Sequence, residues 1–139
     1  MWRKRNEGRL LFGALVLAAS CWGQTKAHDL LKRALYLGDR YNWADAGPLF
    51  REAESHFSAA GDERNALHAR LGSIRANVEN GGQSFPAVSA QLAEELASNP
   101  LLHTDKALRM FALIVKGDID METNTVAMRG DWQQVAPYG

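Results

Sequence analysis

Apolar residues recur at intervals of three and four along most of this 139-residue chain, between regularly placed glycines and prolines. Leu30, Ala34 and Leu37 form one such set, and Phe50, Ala53 and Phe57 a second. Leu67, Leu71 and Ile74 make a third, and Val88, Leu92 and Leu96 a fourth. That spacing puts each set on one face of a helix, whereas a half-buried strand needs alternation with period two, which is not sustained anywhere in the chain. The punctuation agrees. Gly61 closes one helical pattern and Asp62 can cap the next, through its carboxylate and the free N–H groups of the first turn. Gly81-Gly82-Gln83-Ser84 is a break, with Ser84 a cap and Pro86 tolerated in a first turn. Proline disfavours helical angles in its predecessor, so Asn99-Pro100 ends a further segment. Thr104 or Asp105 restarts the chain and Gly117 can stop it. The expected class is all-α, with six helices over about 29–41, 44–60, 63–79, 85–98, 104–117 and 125–135.

Pairs of these helices share a pattern. The first pair reads Leu30-x3-Ala34-x2-Leu37, then Trp43-x2-Ala46-x3-Phe50-x2-Ala53. The small Ala34 and Ala46 let two antiparallel helices approach closely, while Leu37, Trp43 and Phe50 fill the seam. The second pair reads Leu67-x3-Leu71-x2-Ile74, then Phe85-x2-Val88-x3-Leu92, and ends at Asn99-Pro100. The third reads Leu108-x2-Phe111-Ala112-x2-Val115, then Met128-x3-Trp132-x2-Val135. This spacing resembles the tetratricopeptide repeat, clearly in the first pair and loosely in the others. Equivalent positions are 37 and 41 apart in the first helices and 42 and 40 apart in the second helices. The family period is about 34, so longer loops are expected at Gly81-Gly82 and over 117–124. Leu71 stands where the family has a small residue, and Val88 and Met128 replace alanine. The resemblance implies antiparallel helical hairpins stacked as a short TPR-like solenoid of about three repeats.

The front of the chain has a different character. Met1–Arg9 is polar and basic, and Leu10–Ser20 follows without a charge. A basic flank, a short apolar run and small residues beyond it form the pattern of a secretory signal peptide. The run is too short to span a ~30 Å hydrocarbon layer as a helix. Residues 1–23 are accordingly expected to be a signal peptide and 24–139 the helical repeat domain, with export to the periplasm or extracellular space. Cys21 has two open fates. Cleavage after Gly23 discards it and leaves a soluble product. Alternatively, Leu17-Ala18-Ala19-Ser20-Cys21 resembles a bacterial lipobox, in which Cys21 is lipidated and anchors the protein to the envelope membrane.

Charge and chemistry exclude several functions. Formal charge is zero overall, but 1–23 holds four cations against Glu7, and 24–139 holds twelve cations against fifteen anions. An acidic body argues against nonspecific nucleic-acid binding, which needs clustered positive charge. One cysteine rules out a disulfide framework and a structural zinc site. There is no nucleophile elbow, phosphate-binding glycine loop or His-Glu-x-x-His motif, so no catalytic residue, metal or cofactor is expected. His28, His56, His68 and His103 read as surface or satisfied histidines. Asp118, Asp120 and Glu122 alternate like calcium ligands, but the loop glycine and distal glutamate of a calcium site are missing. The stretch reads instead as a loop between helices.

Binding is the function the sequence motivates. In the resembled family, ligands lie along an inner groove made by the first helices of successive hairpins. Carried over by spacing, the groove residues are Asn65, His68 and Arg75 in the second pair, and Lys106, Arg109 and Lys116 in the third. Basic groups gathered on an acidic body favour an acidic or C-terminal peptide. The expected function is an exported, non-catalytic module that holds a protein or peptide partner. The rival expectation follows from Asp131-Trp132-x2-Val135, which resembles the middle of an array and leaves the domain incomplete at its C-terminal end. The chain is then the front, regulatory part of a longer envelope enzyme, such as a CHAT-type peptidase.

Overall fold

The structure, a computed structural model, describes residues 7–135, with side chains over 23–124. Cys21, Met128 and Trp132 therefore lie outside the described side chains. All the regular structure in this range is helical: α1 (Glu7–Gly38), α2 (Trp43–Ala59), α3 (Glu63–Glu79), α4 (Phe85–Ser98), α5 (Pro100–Thr104) and α6 (Lys106–Val135).

Local signals set most of the boundaries. Asn42 caps α2, its Oδ1 accepting from the Asp45 N–H. Asp62 caps α3 the same way, accepting from the Asn65 N–H at 3.1 Å. Gly61 and Gly81 take positive φ values of 72° and 74°, which cost a glycine little, at the two turns flanking α3. Asp105 caps α6, its Oδ1 accepting from the Leu108 N–H at 2.9 Å.

Packing divides into two apolar clusters that share α3. The first joins Ala27, Leu31 and Ala34 of α1 to Ala46, Phe50, Ala53 and Phe57 of α2 and Ala69 of α3. Ala34 and Ala46 are fully buried, as their small size at a close crossing requires. The second joins Leu67, Leu71, Ile74 and Val78 of α3 to Val88 and Leu92 of α4, Leu102 of α5, and Leu108, Ala112, Val115 and Ile119 of α6. Two sides of α3 are thereby covered, one by each cluster. Gly72 makes the α2 side possible, because a Cβ there would run into the Phe50 ring.

Three expectations need correction. The first helix begins at Glu7 rather than near 29, running unbroken through the apolar stretch and past Gly23, and it ends at Gly38. The chain after Asn99 is helical at once: Pro100 opens the five-residue α5, a position where its missing N–H costs nothing. Most consequentially, Gly117 stops nothing. The segment 117–124, read as a loop, lies inside α6, and the expected helices 104–117 and 125–135 are one element from Lys106 to Val135. The third hairpin therefore does not turn back. A single interior glycine costs a helix only about 1 kcal/mol. Buried Ile119 and ion pairs from Lys116 to Asp120 and from Asp118 to Arg75 hold the helix across it.

Candidate interaction surface

The second cluster is built on a register. Leu67, Leu71, Ile74 and Val78 on α3 repeat as Leu108, Ala112, Val115 and Ile119 on α6, each 41 positions later. Polar and aromatic ties follow the same direction. Arg64 Nε donates to Asp105 Oδ2 at 2.6 Å, the His68 ring meets Phe111 edge-on at 4.6 Å, and Arg75 Nε donates to Asp118 Oδ2 at 2.5 Å. Residue numbers rise together on both helices, so α3 and α6 run parallel. On the far side of this layer, α4 is tied to α3 by Arg70–Glu95 at 2.8 Å. It is tied to α6 by the Ser89 hydroxyl, which donates to Asp120 Oδ1 at 2.5 Å.

The α3 residues expected in an open groove lie instead in the seam between α3 and α6 or at its start. Asn65 spends its side chain locally, donating to Asp62 Oδ2 and accepting from Arg64. His68 is half-buried against Phe111. Burial is the main force holding its imidazole pKa below the ordinary 6.5, the Arg64 charge adds to it, and Asp105 opposes. Arg75 is the clearest correction. Only 2% of it is exposed, so it lines no groove. Its guanidinium reaches Glu79 at 2.5 Å and Asp118 at 2.5 Å and stands 4.9 Å from the centre of the Trp43 ring. It joins the two clusters through their shared helix.

The α6 residues differ among themselves. Lys116 is partly buried and bound to Asp120 at 2.6 Å. That contact, followed by the Ser89 hydrogen bond, lowers the Asp120 pKa. Lys106 and Arg109 are exposed at the start of α6. His68 and Arg75 therefore serve the α3–α6 join and Asn65 the first turn of α3, while Lys106 and Arg109 are exposed, Arg109 also donating to the Leu102 carbonyl at 3.4 Å. No group of three or more His, Cys, Asp or Glu able to hold a metal occurs among the described residues.

A surface not expected from the repeat spacing lies beside those two cations. Met110, Leu113, Ile114 and Met121 are 62%, 49%, 62% and 64% exposed. At 100° per residue they fall on one side of α6, opposite buried Leu108, Ala112, Val115 and Ile119. Gly117 lies within the same strip, with open space where a Cβ would stand. The signal was present in the sequence: Met110–Val115 is an unbroken apolar run on a helix. A helix apolar all round has two faces to cover, and α3, α4 and α5 cover only one.

Compared with known proteins, the chain matches no family model, and no curated protein or solved structure shows significant similarity to it. Among the described residues no helix is long and apolar enough to cross a membrane.

Proposed function

We propose that this chain is a non-catalytic protein-interaction module that docks partners through the exposed apolar face of α6. The observation that carries the reading is the strip Met110, Leu113, Ile114 and Met121, lying together on one helix face beside Lys106 and Arg109. Fully burying a Leu, Ile or Met side chain contributes about 1.5–3 kcal/mol, and covering the exposed parts of these four would gain a sizeable fraction of that. Contiguous exposed apolar area on a folded domain marks an interaction site. The parallel α3–α6 register at a 41-residue interval supports a tetratricopeptide-like relation between the second and third first-helices. The sealed seam between them turns the proposed docking face outward.

Export belongs to the same proposal. A basic flank followed by an uncharged run supports it, and the buried contacts among described residues begin at Ala27.

The docking face is tested by site-specific photo-cross-linking in expressing cells. Leu113→p-benzoylphenylalanine should give protein adducts, while the same substitution at exposed Arg51 on α2 should not. Equal labelling from both positions, or none from Leu113, overturns the proposal.

A further inference from the structure

The charge pattern of α6 identifies an occupant for its exposed face. Lys106, Arg109 and Lys116 are the charged residues over 106–116, and Asp118, Asp120 and Glu122 those over 117–122. Lys116 and Asp118 are engaged with Asp120 and Arg75 inside the fold, so the charges beside the exposed strip are Lys106 and Arg109 in its first half and Asp120 in its second. Laid parallel, two copies of the helix would set like charges side by side. Laid antiparallel, they set each half against its complement.

We infer that the α6 face pairs with the same face of a second copy, antiparallel, about a two-fold axis between positions 115 and 116. The inference rests on the reading of that face as a docking surface. Placing Met110 opposite the second copy's Met121 brings Ile114 opposite Gly117, by the same arithmetic. The isoleucine then enters the space that the glycine leaves open, where a Cβ would meet nothing within 4 Å. Arg109 and Asp120 stand on the same flank of the strip, about 20° apart around the helix. Antiparallel packing about a two-fold axis joins equal flanks, so Arg109 of each copy lies beside Asp120 of the other. Asp120 already accepts from Lys116 at Oδ2 and from Ser89 at Oδ1, yet its side chain is 41% exposed, which leaves its outward edge open to a second cation. Such an interface is isologous and closes at two copies.

The test uses the full purified chain in a Cys21→Ser background. Molar mass by light scattering should be that of two chains, and Ile114→Asp should shift it to one with unchanged helix content. Arg109→Glu should weaken association at least tenfold at low salt. Geometry is read by thiol placement with a short bismaleimide. Ile114→Cys chains should cross-link to themselves. Met121→Cys chains should not, being about 16 Å apart along the helix at 1.5 Å per residue. An equimolar mixture of Met110→Cys and Met121→Cys chains should cross-link as mixed pairs. A single-chain mass for the unsubstituted chain, association that survives Ile114→Asp, or self-linking of Met121→Cys each overturn the inference. In the Leu113 photo-cross-linking experiment, an adduct of twice the chain mass supports the second copy. An adduct with a different protein overturns this inference while leaving the docking face intact, and no adduct removes both.

Discussion

Arg75 on α3 and Asp118 on α6 meet side chain to side chain at 2.5 Å, 43 positions apart in the chain. The guanidinium is almost wholly enclosed, whereas Asp118 keeps about a quarter of its side chain open to water. Burial disfavours the arginine charge, but the hydrogen bonds that the guanidinium donates to Glu79 and Asp118 outweigh it and raise the pKa. Asp118 lies in the stretch that reads as a loop in sequence, and it makes this contact from within α6.

The inequality in burial sets the order of two substitutions. Asp118→Ala should cost about 1.5–3 kcal/mol, the loss of a hydrogen bond to a buried charge. Arg75→Met should cost less, because Glu79 and Asp118 can both turn toward water once the cation is gone. Urea unfolding of the two variants checks the order, and a larger loss for Arg75→Met would contradict this account.

Gly72 and Phe50 form the tightest fit between α2 and α3. Gly72→Ala should destabilise, since overpacking costs about 1–3 kcal/mol and exceeds the helix-propensity gain of about 1 kcal/mol. Phe50 is 1% exposed and cannot swing clear. In a Phe50→Leu background the same Gly72→Ala change should cost less, which a double-mutant cycle measures. Phe50→Ala alone should cost about 3–5 kcal/mol.

Two limbs are expected in the pH dependence of stability. The folded-state pKa of His68 is depressed, so the unfolded chain binds the extra proton first. Stability should fall as pH drops through 6.5 and level off below the folded value. His68→Gln should flatten that limb. Asp105 is lowered by the Leu108 N–H and then by Arg64, and Asp120 by Lys116 and then by Ser89. Their contribution is present above the ordinary 3.8 and is lost as pH falls through the folded values, giving a separate acid limb. Thermal melts from pH 8 to 2 on the parent and His68→Gln chains resolve the two.

Gly117→Ala tests the continuity of α6 directly. A Cβ there meets nothing, and the position is mid-helix. The substitution should therefore stabilise the dilute chain by up to about 1 kcal/mol, seen as a raised melting temperature. No change, or a loss, would mean that the backbone turns at this point.

Helix edges were readable wherever the deciding chemistry is local. Asp62, Asp105, Gly61, Gly81 and Asn99-Pro100 act within a turn of their own backbone, and the expected spans 63–79 and 85–98 coincide with α3 and α4. The inward faces were readable for the same reason, as Phe50, Phe57, Leu67, Leu71, Val88 and Leu92 are all buried. The candidate site was less legible. Spacing on α3 put Arg75 in a groove, yet its surroundings depend on Trp43 and Asp118, which the chain brings to it from opposite directions. The outer strip of α6 was hidden because its apolar residues follow one another directly, so both faces read as one.

Local chemistry along the chain settles its all-helical character, the turns flanking α3, the Asp62 cap and the faces that α3 and α4 bury, whereas Ser84 precedes α4 without a side-chain capping bond. Tertiary structure alone decided that α6 runs through Gly117, that Arg75 is interior, and that one apolar side of α6 is left outward. A glycine's effect on a helix is about 1 kcal/mol, small enough for Ile119 and the Arg75–Asp118 pair to override. Which of two apolar faces is covered depends on which neighbour arrives, and α3 arrives from 41 positions away.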